Sequence, residues 1–274
     1  MTKTTQLHSL LTGVLIIILG FALLPLAALG CRESGAPSTV TVVVTQTTQT
    51  QATTGELALG KTLTLEPDTK KESSASPPYD ISVRKPVLKG SDDPRVGTFN
   101  QSVGSLIDQQ ISDFKQQAAQ TYGEPTPGTG STLSIDYTLK SPPGQIISIV
   151  IKSDAYYAGA AHPGHTFQTI NYDLSTGKVL KFSQLFTPGA AYLDALATFC
   201  SQELTKRDAL SFPEGAAPTE ENYKNWAMTA DGLEIIFEEY QVAPYAMGPQ
   251  TVLVPYTYLQ KLLDPKGPVS KVKQ

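Results

Sequence analysis

Two imidazoles three residues apart are the strongest chemical signal in this chain. His162 and His165 stand in the stretch AYYAGAAHPGH, residues 155–165, directly behind Tyr156 and Tyr157. Imidazole is a common metal ligand and the usual general base near neutral pH. A metal site needs at least one further ligand. The third histidine is His8, far away near the start, so an oxygen from Asp136, Asp154 or Asp173 would have to complete it. Catalysis by His162 or His165 needs a nucleophile and an acid that orients the ring. No Gly-x-Ser-x-Gly elbow is present. The favoured reading is a structural loop. Gly159 and Gly164 permit unusual backbone angles, His162-Pro163 disfavours helix, and the imidazole is expected to bond loop backbone.

Other side chains offer contact more than chemistry. Acids gather late in the chain at Glu214, Glu220, Glu221, Asp231, Glu234, Glu238 and Glu239. They read as a solvated face, or as a docking surface for a basic partner, with Glu234 and Glu238 on one face of a strand. Tyr245, in the loop APYAMG, is a candidate anchor for protein or sugar, because tyrosine offers large contact with few rotamers to freeze. Tyr156 and Tyr157 are candidates of the same kind. The cysteines are Cys31 and Cys200. Cys200 falls on the apolar side of an expected helix and reads as a small core residue. No Cys/His cluster supports zinc, and no cofactor is expected.

These groups must be positioned by elements that the periodicity outlines. A strand is predicted over 79–86. A helix follows, opened by the capping box Thr98-Phe99-Asn100-Gln101, with Phe99, Val103, Leu106, Ile107, Ile111, Phe114 and Ala118 on one face and Gly123 at its end. Strands over 133–140 and 145–153 form a hairpin around Ser141–Gly144. The second is apolar on both faces and therefore central. Further strands are predicted over 166–173, 178–182, 226–229, 233–238 and 250–255. A helix capped by Thr187-Pro188 and a terminal helix over 256–263 complete the list. Strands arrive in hairpins, so the expected class is α+β, an antiparallel sheet with helices mainly on one face, in two small lobes.

The amino terminus sets the compartment. Lys3 precedes an apolar run, Leu10 to Leu29, that closes at Ala28-Leu29-Gly30-Cys31. A charged start, an apolar middle and small residues at the cut describe a secretory signal. Ala-Leu-Gly-Cys resembles the lipobox of bacterial lipoproteins, which implies lipid on Cys31 and anchorage to the membrane. The alternative is an uncleaved anchor, since about 20 apolar residues span a bilayer. Either way the remainder is expected outside the cytoplasm. Residues 31–78 are rich in Thr, Gln, Ser and Pro and lack aromatics. They read as a flexible tether, about 47 residues reaching roughly 35–40 Å. The expected organisation is thus signal 1–30, tether 31–78, a small lobe 79–130, a larger domain 131–265 and a disordered tail 266–274. The formal charge of −4 moves by one, to −5, when Lys3 leaves with the signal. No basic patch argues for nucleic acid.

Four stretches together resemble a known family: YYAGAAHPGH, NYDLSTGKVLKFSQLF, the helix after Thr187, and FEEYQVAPYAMGPQTVLVPYTYL. They are similar to the carboxy-terminal domain of RsiV-like extracytoplasmic proteins, a domain of unknown function. Residues 79–122 resemble the small domain that precedes it in RsiV and in the peptidoglycan deacetylase PdaC. The resemblance implies an α+β module at the cell envelope that binds a lysozyme-type protein or peptidoglycan. About ten residues precede the apolar run, too few for a sigma-binding domain, and no deacetylase domain follows. Signalling and deacetylation are therefore not expected to carry over. Three readings stand: a non-catalytic binding lipoprotein, an envelope hydrolase using His162 or His165, and a purely structural envelope protein.

Overall fold

The computed structural model describes residues 53–57, 61–120, 130–141 and 144–272. The apolar run, Cys31, Gly123 and the first part of the Thr/Gln-rich segment lie outside the described residues. The strands are β1 (Thr53–Leu57), β2 (Lys61–Ala75), β3 (Pro78–Lys89), β4 (Ser131–Leu139), β5 (Ile146–Tyr156), β6 (Gly164–Asp173), β7 (Lys178–Val179), β8 (Trp226–Met228), β9 (Gly232–Phe237) and β10 (Gln250–Pro255). The helices are α1 (Pro94–Ala119), α2 (Tyr192–Thr205) and α3 (Tyr256–Leu259). β1 to β7 form one sheet in sequence order, and β10-β9-β8 form a second. Neighbours are antiparallel except β3 and β4, which run parallel with α1 as their connection. The α+β expectation is met.

The helix face read from the sequence is the face that is buried. Val96, Phe99, Val103, Ile107, Ile111, Phe114 and Ala118 point into a core shared with Leu63, Ile81, Val83, Leu133, Ile135, Ile149 and Ile151. The cap lies elsewhere than expected. Asp93 accepts from the Arg95 N–H at 2.9 Å, and Pro94 takes the first helical position, where its missing N–H costs nothing. Thr98 is inside the helix and donates to the Pro94 carbonyl. Likewise α2 starts at Tyr192, not at Thr187, whose N–H is spent on the Leu262 carbonyl.

The tether is shorter than its composition implied. Residues 61–75 form β2, paired with β3 at every position from Thr64 to Ala75. Leu63 and Leu65 reach the core, but beyond them the strand is almost wholly polar. It is held by main-chain bonds and by cross-strand charges, Lys89 to Glu66 at 2.9 Å and Lys85 to Asp68 at 3.2 Å. Hydropathy is blind to such a strand. The expected break near residue 130 is bridged by the pairing of Tyr79–Val83 with Ser131–Ile135. The tail is also corrected up to residue 272. Pro268–Lys271 is a 3₁₀ turn, Val269 and Val272 are buried, and Lys271 Nζ sits 2.6 Å from Asp173 Oδ2 and 2.8 Å from Ser175 Oγ. Burial pushes the Asp173 carboxyl up, but Lys271 and Ser175 overcome it and hold it below its ordinary value.

A second core joins the small sheet to α2 and α3 through Leu196, Cys200, Leu204, Met228, Leu233, Ile235, Phe237, Val252, Val254 and Leu259. Burial pushes the Cys200 thiol up to about 12, which removes the thiolate that nucleophilic chemistry would need. β5 carries a face to each layer. Ile147, Ile149 and Ile151 face α1, and Val150 meets Ala227 and Ile236, so its double-sided apolarity has the predicted cause.

The two sheets are fastened by side chains. Asn171 Nδ2 donates to the Trp226 carbonyl at 2.8 Å, and the Met228 N–H donates to Ser148 Oγ at 2.8 Å and to Asn171 Oδ1 at 3.2 Å. Ser148 Oγ in turn donates to Asn171 Oδ1. Both residues are buried. Asn171→Ala leaves the Trp226 carbonyl and the Ser148 hydroxyl without this partner, so a loss of about 3 kcal/mol is expected. Urea unfolding measures it; a loss below ~1 kcal/mol would show that the fastening lies elsewhere.

Candidate functional site

The paired histidines part company at a strand boundary. Pro163 ends the loop and β6 begins at Gly164, so His162 stays in the loop and His165 takes a strand position opposite Asp154. Of the two glycines, Gly159 uses a left-handed backbone (φ 87°). Gly164 does not, and a Cβ there would meet open space.

His162 behaves as the loop reading expects. Its Nδ1–H donates to the Pro163 carbonyl at 3.0 Å. The Tyr245 hydroxyl donates to the same oxygen at 2.9 Å, and the two rings lie 3.9 Å apart at 30°. Tyr240 continues the row at 5.9 Å from Tyr245. Tyr240 is 58% exposed and carries φ 63°, a strained backbone for an aromatic residue. His162, Tyr245 and Tyr240 thus form an aromatic platform at the surface.

His165 is held between carboxylates. Its Nδ1–H is bonded to Asp154, and Nε2 lies 3.7 Å from Glu239 Oε1. Burial pushes the Asp154 carboxyl up first, but bonds from Lys152 and His165 outweigh it and hold it below the usual value. A lowered native value stabilises the fold above the ordinary carboxylate range, and the effect is lost as pH falls through the lowered value. His165 makes no hydrogen bond to a hydroxyl among the described residues. Nor do these residues include a group of three or more His, Cys, Asp or Glu side chains arranged for a metal ion.

Beside the platform runs a groove of about 840 Å³. Its apolar lining includes Phe114, Tyr157 and Phe167. Its polar lining includes Gln110, Ser153, His162, Gln168, Asn225 and Glu238. Gln110 ties α1 to the sheet, accepting from Ser153 Oγ at 2.7 Å and donating to Gln168 Oε1 at 2.7 Å. Asn225 is buried, and its Nδ2 has no hydrogen-bond partner among the described residues. Leaving such a group unpaired costs roughly 1–3 kcal/mol.

The other expected residues fare differently. Tyr157 packs on Phe114, ring centres 5.4 Å apart, and shapes the groove from below. Tyr156 is half-buried opposite Thr132 and stands outside the groove lining. Glu234 and Glu238 do not share a strand face. β9 ends at Phe237; Glu234 is paired with Lys140 at 2.6 Å, and Glu238 turns back to accept the Phe167 N–H at 3.2 Å. Gln110, Asn225 and Tyr240 join the site without a signal in the sequence pattern, whereas Glu239 belongs to the acidic cluster. Gln110 sits on the polar flank of a helix, and Asn225 carries no local signal.

Comparison with known proteins gives a match over part of the chain. Residues 183–257 match the family described as Protein of unknown function (DUF3298), so the chain contains a domain of that kind. The crystal structure of a DUF3298 member from Bacteroides fragilis superposes with a TM-score of 0.58 at 17% identity, covering 81% of this chain and 99% of that one. A second, from Pseudomonas aeruginosa, gives 0.51 at 16% identity, over 73% of this chain and 94% of that one. These likenesses concern the fold. Among named proteins, the chain is 27% identical over 191 residues to the peptidoglycan-N-acetylmuramic acid deacetylase PdaC of Bacillus subtilis, 68% of this chain and 39% of that protein. It is 27% identical over 165 residues to the immunogenic protein MPT64 of Mycobacterium tuberculosis, 59% of this chain and 72% of that one. It is 26% identical over 166 residues to the M. tuberculosis esterase Rv3036c, with the same coverage. The chain therefore spans well under half the length of PdaC.

Tyr245 is the hinge of the platform, which sets up a direct check. Tyr245→Ala removes the ring current over His162, so the His162 Hε1 resonance is expected to move downfield. Tyr245→Phe keeps the stack and leaves it in place. Proton–carbon correlation spectra distinguish the two; an unmoved resonance in Tyr245→Ala would mean the rings do not stack in solution.

Proposed function

We propose that this chain is an extracytoplasmic lipoprotein, anchored through Cys31, whose folded part is a non-catalytic RsiV-like module that binds cell-wall glycan. The observation that carries the reading is the groove beside the aromatic platform. Sugars offer hydroxyls and amides around their rims and apolar C–H faces above and below. Gln110, Gln168, Ser153 and Asn225 suit the rims, since amide side chains both donate and accept. Tyr245 and Tyr240 suit the faces, because an aromatic ring gives rigid apolar contact. A largely preformed concave site of this size is where a ligand is expected. Similarity to a peptidoglycan deacetylase supports the choice of glycan.

A lysozyme-type protein is the lesser candidate. Its attraction would be steered by exposed acids, but Glu234 is spent on Lys140 and Glu221 on Lys224. Calorimetry of the full chain with soluble wall fragments and with lysozyme separates the two. Heat is expected with the fragments, weakened about tenfold (~1.4 kcal/mol) by Gln110→Ala and by Tyr245→Ala. Heat with lysozyme alone would move the reading to the protein partner, and heat with neither would end it.

One observation favours a hydrolytic reading, the Asp154–His165 pair, since a carboxylate-oriented imidazole is a general-base arrangement. Against it, Nε2 faces Glu239 and no hydroxyl. Release of acetate or ester product that His165→Asn abolishes would replace binding with turnover.

A further inference from the structure

The groove holds a buried amide that the fold does not employ. Structural asparagines in loops earn their place by bonding the loop together. At Asn225 the main chain already does this. The Asn225 carbonyl accepts from the Ile236 N–H at 2.9 Å, and the next N–H, of Trp226, reaches Thr169 Oγ1 at 3.4 Å. The side-chain Nδ2 is left buried and without a partner among the described residues, and Asn225 is one of the residues lining the groove.

The β6 strand, which meets this loop at Thr169, is open on the side away from β5. The Leu174 N–H to Gln145 carbonyl bond sets the ladder parity between β5 and β6. In an antiparallel pair, alternate residues turn their main-chain groups outward. His165, Phe167 and Thr169 are those residues on β6. β7 covers only Tyr172 and Asp173, so the outward groups of Phe167 and Thr169 border the groove. Glu238 takes the Phe167 N–H, which leaves carbonyl oxygens as the acceptors of this edge. Phe167 is half-buried against Val150, Ala227 and Ile236.

Building on the glycan reading above, we infer that Asn225, Phe167 and the open edge of β6 form a subsite for the acetamido group of an N-acetylated sugar. The group has a carbonyl that needs a donor, an N–H that needs an acceptor, and a methyl that needs an apolar surface. Asn225 Nδ2, the edge carbonyls and the Phe167 ring supply one of each. A site whose buried polar group is satisfied only by the ligand discriminates strongly against an analogue that lacks the matching group.

Calorimetry of the full chain with three neutral or near-neutral probes tests this: the N-acetylglucosamine tetramer, cellotetraose, which has hydroxyls in place of acetamido groups, and an N-acetylated wall stem peptide. The acetamido tetramer is expected to bind at least tenfold more tightly than cellotetraose. Asn225→Leu is expected to erase that preference without lowering Tm, since no internal hydrogen bond is lost. Equal binding of the two tetramers by the wild-type chain overturns the subsite and leaves glycan binding intact. A preference that survives in Asn225→Leu overturns the role of Asn225. Binding of the peptide alone overturns the sugar assignment, and binding of none of the three overturns the glycan reading itself. Should Asn225→Leu fail to fold, the wild-type comparison of tetramers still decides the subsite.

Discussion

The arrangement depends on a small polar knot between two sheets. Ser148 and Asn171, both on the seven-stranded sheet, present side-chain atoms to the main chain of β8. In most sheets a strand edge is satisfied by another strand. Here β8 is satisfied by a hydroxyl and an amide, so it can lie across β5 and β6 without extending their ladder. Buried polar groups of this kind are favourable only when all of them are met, and each of these atoms has a partner. The knot therefore does two things. It closes the apolar seam of Val150, Ala227 and Ile236, and it ties β8 to β5 and β6 through side chains.

Legibility in the sequence followed the physics of each element. α1, the β4–β5 hairpin and β10 announce themselves by burial, and burial leaves a periodic trace. β2 leaves none. Its stability comes from ladder bonds and charge pairs, and its composition matches that of a disordered chain. The last residues looked polar for the same reason, yet Lys271 reaches the buried Asp173. The site was half legible. Two close histidines mark a place in any reading. Their separate fates depend on where β6 begins, and their partners Tyr245, Tyr240 and Glu239 lie some eighty residues on. Asn225 was invisible, because its distinction is the lack of a bond, which only three dimensions reveal.

The family match and the groove do not coincide. The matched segment, residues 183–257, contributes Lys224, Asn225 and Glu238 to the groove lining and Tyr240 and Tyr245 to the aromatic platform. The other lining residues, from Leu106 to Thr169, lie outside it. The groove lining is thus shared between α1, β4, β5 and β6 and the matched segment.

Cys200 carries a consequence for chemical ageing. It is fully enclosed in the second core, so no oxidant reaches its sulfur while that core is shut. The rate of its chemical damage is then governed by how often the core opens, not by how much oxidant surrounds the molecule. The thiol serves as a slow recorder of rare excursions from the native state, and an ageing population of molecules would carry that history in its sulfur.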